Sequence, residues 1–220
     1  MSRLILWRHG QTAWNSIGRM QGQTDIEMDA TGHAQAAAGA TLLAALGPAK
    51  IVSSDLRRCY DTAGYLAELT GLPVSTDKRL RERSFGDWEG MTGAEVAERH
   101  PADWELWSTG QPLHGHGIEN YDAVAARMHA AITDAVADCD GLVVVVTHGG
   151  SSRRALAALI GVPGFSEAIG GLYNCRWTEL RQRKGVWKLH AHNVGEPEGA
   201  TVPGQGVQES AGNHARGAHV

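Results

Sequence analysis

The chain has few cysteines, no excess of positive charge and no long apolar run, and each lack removes a class of function. Cys59, Cys139 and Cys175 are its only cysteines, and no two of them form a C-x-x-C pair. Neither a disulfide framework nor a zinc clip is expected from that spacing. A formal net charge of -4 and a pI near 6.2 argue against a general binder of nucleic acid or membrane surfaces. The apolar run in "LVVVVTHGG" is far too short to span a bilayer, and the first residues carry no apolar signal core. The expectation is a cytoplasmic protein in a reducing compartment.

What is present is a chain of 220 residues, 42% hydrophobic, long enough to bury a sizeable core in one domain. Short apolar runs alternate with helical patterns. "RLILW" (3–7), "KIVSS" (50–54), "PVSTD" (73–77) and the β-branched "LVVVVT" (142–147) read as strands, the last buried on both faces. Helices are expected over 31–47, with Thr31 as N-cap and Gly47 as stop, over 55–71 ending at Gly71, and over 121–139. "NCRWTEL" and "VWKLHAHNV" read as a closing hairpin around Gly185. This alternation predicts an α/β fold, a three-layer α/β/α sandwich with a mostly parallel central sheet. The domain is expected to span 1–195. The last stretch, 196–220, is rich in Gly, Pro and polar residues, cannot offset its ordering entropy by burial, and reads as a disordered tail.

Ligands of such sheets bind beyond the carboxyl ends of the strands. Arg8 and His9 leave the first strand, Ser53 to Arg58 the second, and Thr147, His148 and Gly149 the strand at 142–147. Three polar clusters therefore converge at one end. Arg8, His9, Arg58, Glu82 and His148 together suit phosphoryl transfer from a monoester. Planar guanidinium forks hold a phosphate dianion with paired hydrogen bonds. A neutral imidazole, kept neutral by adjacent guanidinium charge, can attack phosphorus and split one difficult step into two. His148 would donate to the transferring oxygens, and Glu82 would protonate the departing alkoxide.

Five blocks then carry a resemblance. "RHGQTAWN" (8–15) resembles the RHG motif of the histidine phosphatase superfamily, the phosphoglycerate mutase-like proteins, and "GRMQGQTDIEMDATGHAQA" (18–36) is similar to that family's phosphate loop and following helix. "SSDLRRCYDTA" (53–63) places the family's arginine at Arg58 and not Arg57, "LRERSFGDWEG" (80–90) its acid–base glutamate at Glu82, and "VVVVTHGG" (143–150) its second histidine at His148. The resemblance implies the phosphoglycerate mutase-like fold with a small cap at about 84–120. It implies a phosphate pocket of Arg8, Arg58 and His148 around His9, lined by Asn15, Gln21, Gly22 and Gly149, with no metal or organic cofactor.

A small phosphomonoester is the implied partner, with no nucleic acid or membrane; the strand edges and "VWKLHAHNV" are compatible with a homodimer. The mutases of the family carry a longer insertion after the glutamate block, absent here, so phosphatase activity is the expectation. Mutase-type transfer is the alternative, and a non-catalytic phospholigand-binding module a more distant one. Within the family, the late "GGLYNCRWTEL" implies a glycosylated phosphoacid such as glucosyl-3-phosphoglycerate, although Ile118 and Asn120 depart from the usual pattern at 115–120.

Several residues have plainer readings. Arg57 is expected to face solvent or a carboxylate. Arg153 and Arg154 read as solvated helix charges before they read as substrate contacts. His114 and His116 are spaced like loose metal ligands but lack a further cluster in sequence, and read as cap-loop residues. Trp104 and Trp107, at i and i+3, are expected to pack a short helix onto the core.

Overall fold

Side chains alternate across every central strand, and that alternation builds two cores on one sheet. The protein is described here by a computed structural model covering residues 2–111, 113, 115–162 and 164–195; the expected tail and His114 lie outside these. In chain order the elements are β1 (Arg3–Arg8), α1 (Ala13–Ser16), α2 (Ala30–Ala44), β2 (Pro48–Ser53), α3 (Arg57–Thr70) and β3 (Val74–Thr76). There follow α4 (Gly93–Arg99), α5 (Pro101–Ser108), α6 (Tyr121–Ala137), β4 (Leu142–Thr147), α7 (Gly149–Ile160), α8 (Phe165–Ala168), β5 (Trp177–Arg183) and β6 (Val186–Val194). Two short 3₁₀ turns, at 78–80 and 86–88, lie between β3 and α4.

The sheet order is β3-β2-β4-β1-β5-β6. β3, β2, β4 and β1 are parallel, and β5 and β6 close the sheet antiparallel, as the hairpin pattern predicts. β4, "LVVVVT", is buried along its whole length at the centre. Leu4, Leu6, Val143 and Val145 face α6 and α7, where Met128, Ile132 and Leu156 meet them. Ile5, Trp7, Val144 and Val146 face α2 and α3, against Ala36, Ala40, Ala63 and Leu66. The expected three-layer arrangement is what forms. No helix among the described residues is long and apolar enough to cross a membrane.

Local details differ from the expectation where a side chain outcompetes propensity. Asp29, not Thr31, caps α2, because its carboxylate accepts from the Gly32 N–H and leaves Thr31 inside the helix. α3 does end at Gly71, in the left-handed region (φ 72°). Trp104 and Trp107 pack within the cap and not onto the sheet: Trp104 covers Gly93, and Trp107 meets Phe85 and Trp88 edge-on at 5.7 and 5.6 Å.

The turn after β1 crosses the start of α2 so closely that neither backbone tolerates a side chain. A Cβ on Gly10 would lie 2.6 Å from Met28 Sδ and overlap the Gly32 carbonyl, and one on Gly32 would overlap the Gln11 carbonyl. Gly10 is needed for this approach, not for an unusual φ. Gly32→Ala should therefore cost about 1–3 kcal/mol, read as a lower urea midpoint; unchanged stability would show that the crossing relaxes freely.

Candidate active site

Four loops deliver polar side chains to the carboxyl ends of β1, β2 and β4. His9, Arg58 and His148 are all buried, at 3%, 1% and 0% exposure, which is rare for such groups without a function or a full set of partners. His9 Nδ1 lies 2.7 Å from the Gly10 carbonyl oxygen. A carbonyl can only accept, so Nδ1 carries the proton and a neutral ring presents the lone pair of Nε2. Burial holds His9 well below the ordinary imidazole range, and the Arg58 and Arg8 charges push in the same direction. His148 is lowered likewise, by burial first and then by Arg58.

Arg58 donates from Nε to His148 Nδ1 (3.3 Å) and from its two terminal nitrogens to the Thr24 and Gly22 carbonyls (2.9 and 2.8 Å). Arg8 donates to the Leu172 carbonyl at 2.7 Å. Its Nε is buried with no hydrogen-bond partner, and a Cβ on Gly149, the first residue of α7, would lie 3.4 Å from it. An unspent guanidinium N–H thus faces a helix N-terminus, a setting suited to an anion.

His148 packs edge-on to His9 with ring centroids 5.2 Å apart. Its Nε2 is 3.0 Å from Ser54 Oγ and its Nδ1 takes the Arg58 bond, so both nitrogens are engaged within the protein. It sits in the site, but the expected free donor toward a phosphate oxygen is spent on Ser54 here.

Glu82 is held by four donors. Oε1 accepts from the Arg83 N–H, the Ser151 N–H and the Ser151 hydroxyl, at 2.8, 2.8 and 2.9 Å, and Oε2 accepts from the Gly150 N–H at 3.0 Å. The carboxylate thereby serves as the N-terminal cap of α7, whose own N-cap residue, His148, makes no side-chain cap bond.

Of the other expected lining residues, Gly22 and Asn15 are tied to this set by hydrogen bonds. The Gly22 carbonyl orients Arg58. Asn15 completes the capping box of α1, its side chain accepting from the N–H of the N-cap Thr12, and accepts from Asn174 at 3.4 Å. Gln21 is buried with its Oε1 unpartnered.

Several organising residues escape the sequence reading. Asn174 Nδ2 donates to the His9 carbonyl at 2.9 Å and fixes the His9 backbone. Ser151 anchors Glu82. Arg127, on α6, donates to the carbonyls of Arg79, Arg81 and Glu82 and pairs with Glu119 at 2.7 Å, bracing the glutamate loop. A charged residue directly beside the core position Met128 was the available signal. Glu89 gathers the N–H groups of Gln23, Thr24 and Phe85, tying the phosphate loop to the cap.

Arg57 is solvent-facing and pairs with Glu27 and Asp61, as expected. Arg154 is not a solvated charge: its guanidinium lies 3.6 Å from the Tyr121 ring centroid, with Arg83 at 3.8 Å from the same ring, and it donates to Ser166. Arg153 is half-buried beside it.

Residues 4–195 match the Histidine phosphatase superfamily (branch 1). The chain is 43% identical over 195 residues to a glucosyl-3-phosphoglycerate phosphatase of Mycobacterium tuberculosis, covering 84% of this chain and 86% of that one. It is 30% identical over 190 residues to a probable phosphoglycerate mutase of Salmonella paratyphi C, covering 85% and 88% respectively. The solved structure of a mycobacterial glucosyl-3-phosphoglycerate phosphatase in complex with VO3 superposes with a TM-score of 0.80 at 40% identity, covering 87% of this chain and 99% of that chain.

The two lowered histidines of the site make stability pH-dependent, with a smaller share from His192, which burial also lowers. As pH falls below about 6.5 the unfolded chain protonates them while the folded one does not, so stability is complete above that value and declines below it. Urea midpoints should be flat between pH 7 and 8 and fall on acidification below 6.5. The slope should reach about 1.4 kcal/mol per pH unit for each histidine, and His9→Ala should remove its share. A flat profile down to pH 5 would show that His9 titrates as an exposed imidazole.

Proposed function

The chain belongs to the histidine phosphatase superfamily, and from that premise we propose that it hydrolyses a small phosphomonoester through a phosphohistidine on His9. One observation carries the reading: a neutral imidazole, protonated at Nδ1 against the Gly10 carbonyl, leaves Nε2 as a nucleophile within the influence of two guanidinium groups. Arg8 Nε and the charge of Arg58 hold the phosphate beside Gly149, the first residue of α7, whose next two N–H groups are taken by Glu82. His9 Nε2 attacks phosphorus, the ester P–O bond breaks, and the positive charge on the ring is stabilised at Nδ1–H by the Gly10 carbonyl. Glu82 gives its proton to the departing alkoxide. It then takes a proton from water as that water attacks phosphorus, and the N–P bond breaks to release phosphate. Oε1 already receives three donors and Oε2 one, so Oε2 is the oxygen that carries the proton. His148 orders Arg58 and closes the floor of the pocket.

The substrate we propose is glucosyl-3-phosphoglycerate or a related phosphorylated metabolite. The relation to phosphatases that bear that name supports it, as does the absence of the longer insertion of the mutases. His9→Ala should abolish phosphate release while the fold survives. Glu82→Gln should slow alkyl esters by about 100-fold or more and aryl phosphates far less, because a phenolate leaves without a proton; equal loss on both would remove Glu82 from the acid role. Against a panel of glucosyl-3-phosphoglycerate, 3-phosphoglycerate, sugar phosphates and an aryl phosphate, the first should lead kcat/KM by orders of magnitude. Flat, slow release would overturn the substrate assignment. Phosphate exchange between glycerate hydroxyls without release would favour transferase chemistry.

A further inference from the structure

The cap holds a second cluster of ligand-bearing side chains that the phosphatase chemistry does not use. His100 joins α4 to α5, Asp103 lies in the first turn of α5, and His116 comes from the loop before α6. One donor atom from each lies within 4.8 Å of the other two. We propose that His100, Asp103 and His116 form a binding site for a divalent transition metal, zinc foremost, which ties the cap helices to the 115–117 loop.

Three independent features support this. First, the donor set suits the ion: two imidazoles and a carboxylate bind zinc at about 2.0–2.2 Å, which places donors roughly 3.3 Å apart in a tetrahedron. His116 Nε2 and Asp103 Oδ2 are already 3.1 Å apart. Small side-chain adjustments bring in His100, whose ring centroid is 4.8 Å from that of His116. All three residues are half-buried, so an ion can reach them and solvent can complete the coordination.

Second, an outer carboxylate is within reach, just beyond hydrogen-bond distance. Asp87 Oδ2 lies 3.8 Å from His116 Nδ1, on the side of the ring opposite Asp103. Metal-bound histidines commonly present their other ring nitrogen to a carboxylate, which fixes tautomer and orientation. The buried Trp88 ring, 5.5 Å from His116 and 6.5 Å from His100, forms the floor against which both rings are set.

Third, His116 is held in a costly backbone conformation. Residues 115, 116 and 117 all have positive φ (96°, 55° and 67°), and the central one is not glycine. Its carbonyl accepts from the Asp87 N–H at 2.8 Å and closes against Gly86, where any Cβ would overlap it. Such strain persists where surrounding contacts over-determine it, and it is concentrated at ligand clamps and functional sites. Here it turns the imidazole onto Asp103 and His100.

The metal takes no part in phosphoryl transfer. Trp88 meets Trp107, and Trp107 meets Arg83, the neighbour of Glu82, so an ion here would stiffen the wall beside the acid–base residue.

The test uses the full chain, freed of metal with a chelator and titrated at pH 7.5 with Zn²⁺ by calorimetry and with Co²⁺ by visible absorption. The wild type is compared with Asp103→Asn and with His116→Asn, asparagine being tolerant of the left-handed region. The wild type should bind one more equivalent at micromolar or tighter affinity, with a tetrahedral Co²⁺ spectrum. Each variant should lose that affinity by at least about 100-fold, along with the rise in Tm that zinc confers on the wild type. Metal-free variants should release phosphate from an aryl ester at the wild-type rate, which verifies their fold; if His116→Asn does not, Asp103→Asn alone decides. Equal uptake by wild type and variants, placing the ion at His9 and His148 or at His214 and His219, would overturn the proposal. So would no uptake at micromolar zinc.

Discussion

Two guanidinium groups, Arg8 and Arg58, act on one buried imidazole, His9, and the acceptors they hydrogen-bond to are neutral. Arg58 is spent on two carbonyls and a histidine nitrogen, and Arg8 on one carbonyl. Burying positive charge against neutral acceptors is expensive. The fold tolerates it because the loops that supply those carbonyls are fixed elsewhere: Glu89 ties residues 23 and 24 to the cap, and α7 and the 172–175 segment close the other side. This positive field adds to burial, the larger cause, in lowering His9 and His148, and it favours an anion in the pocket. A ligand that supplies this charge also stabilises the folded chain by linkage.

The proposed acid–base residue depends on a different constraint. Glu82 lies in a loop without regular structure, yet its carboxylate is placed by the start of α7 and its backbone by Arg127. The same peptide N–H groups that would otherwise end α7 unsatisfied hold the carboxylate next to Gly149, where the phosphate is expected. Helix termination and catalytic placement are therefore one interaction. This explains why the segment after β4 reads Gly149-Gly150-Ser151: a Cβ at residue 150 would come 2.8 Å from Glu82 Oε1, and Ser151 supplies a hydroxyl donor.

Much of this was legible in the chain. The β-branched run of β4 and the alternation in β1 dictate a buried parallel centre, and the residues just past β1, β2 and β4 mark the ligand end of the sheet. Arg8, His9, Arg58, Glu82 and His148 gather as the blocks imply. What could not be read is set by tertiary hydrogen bonds between segments far apart in sequence. Asp29 displaces Thr31 as a cap through its side chain, Ser54 engages the His148 nitrogen expected to face substrate, and Asn174 fixes His9 from 165 residues away. Arg154 was read as solvated because its helix position says nothing of Tyr121, which arrives from another helix.

The cap shows the same limit and what lies beyond it. In sequence His116 has His114 beside it and nothing else of note, so spacing alone gives no cluster. Folding brings to His116 the side chains of His100 and Asp103 from another turn and Asp87 from a third. The left-handed 115–117 loop makes this possible, and Gly86 exists to receive its carbonyl. An aromatic wall of Trp88, Trp107 and Tyr121 then runs from this cluster to Arg83. Because Arg83 is adjacent to Glu82, the geometry of the cap and the placement of the Glu82 carboxylate are set by one continuous packing arrangement. Under the proposed mechanism, changes in the cap that leave Arg8, His9, Arg58, Glu82 and His148 intact act on the leaving-group step before they act on phosphate binding.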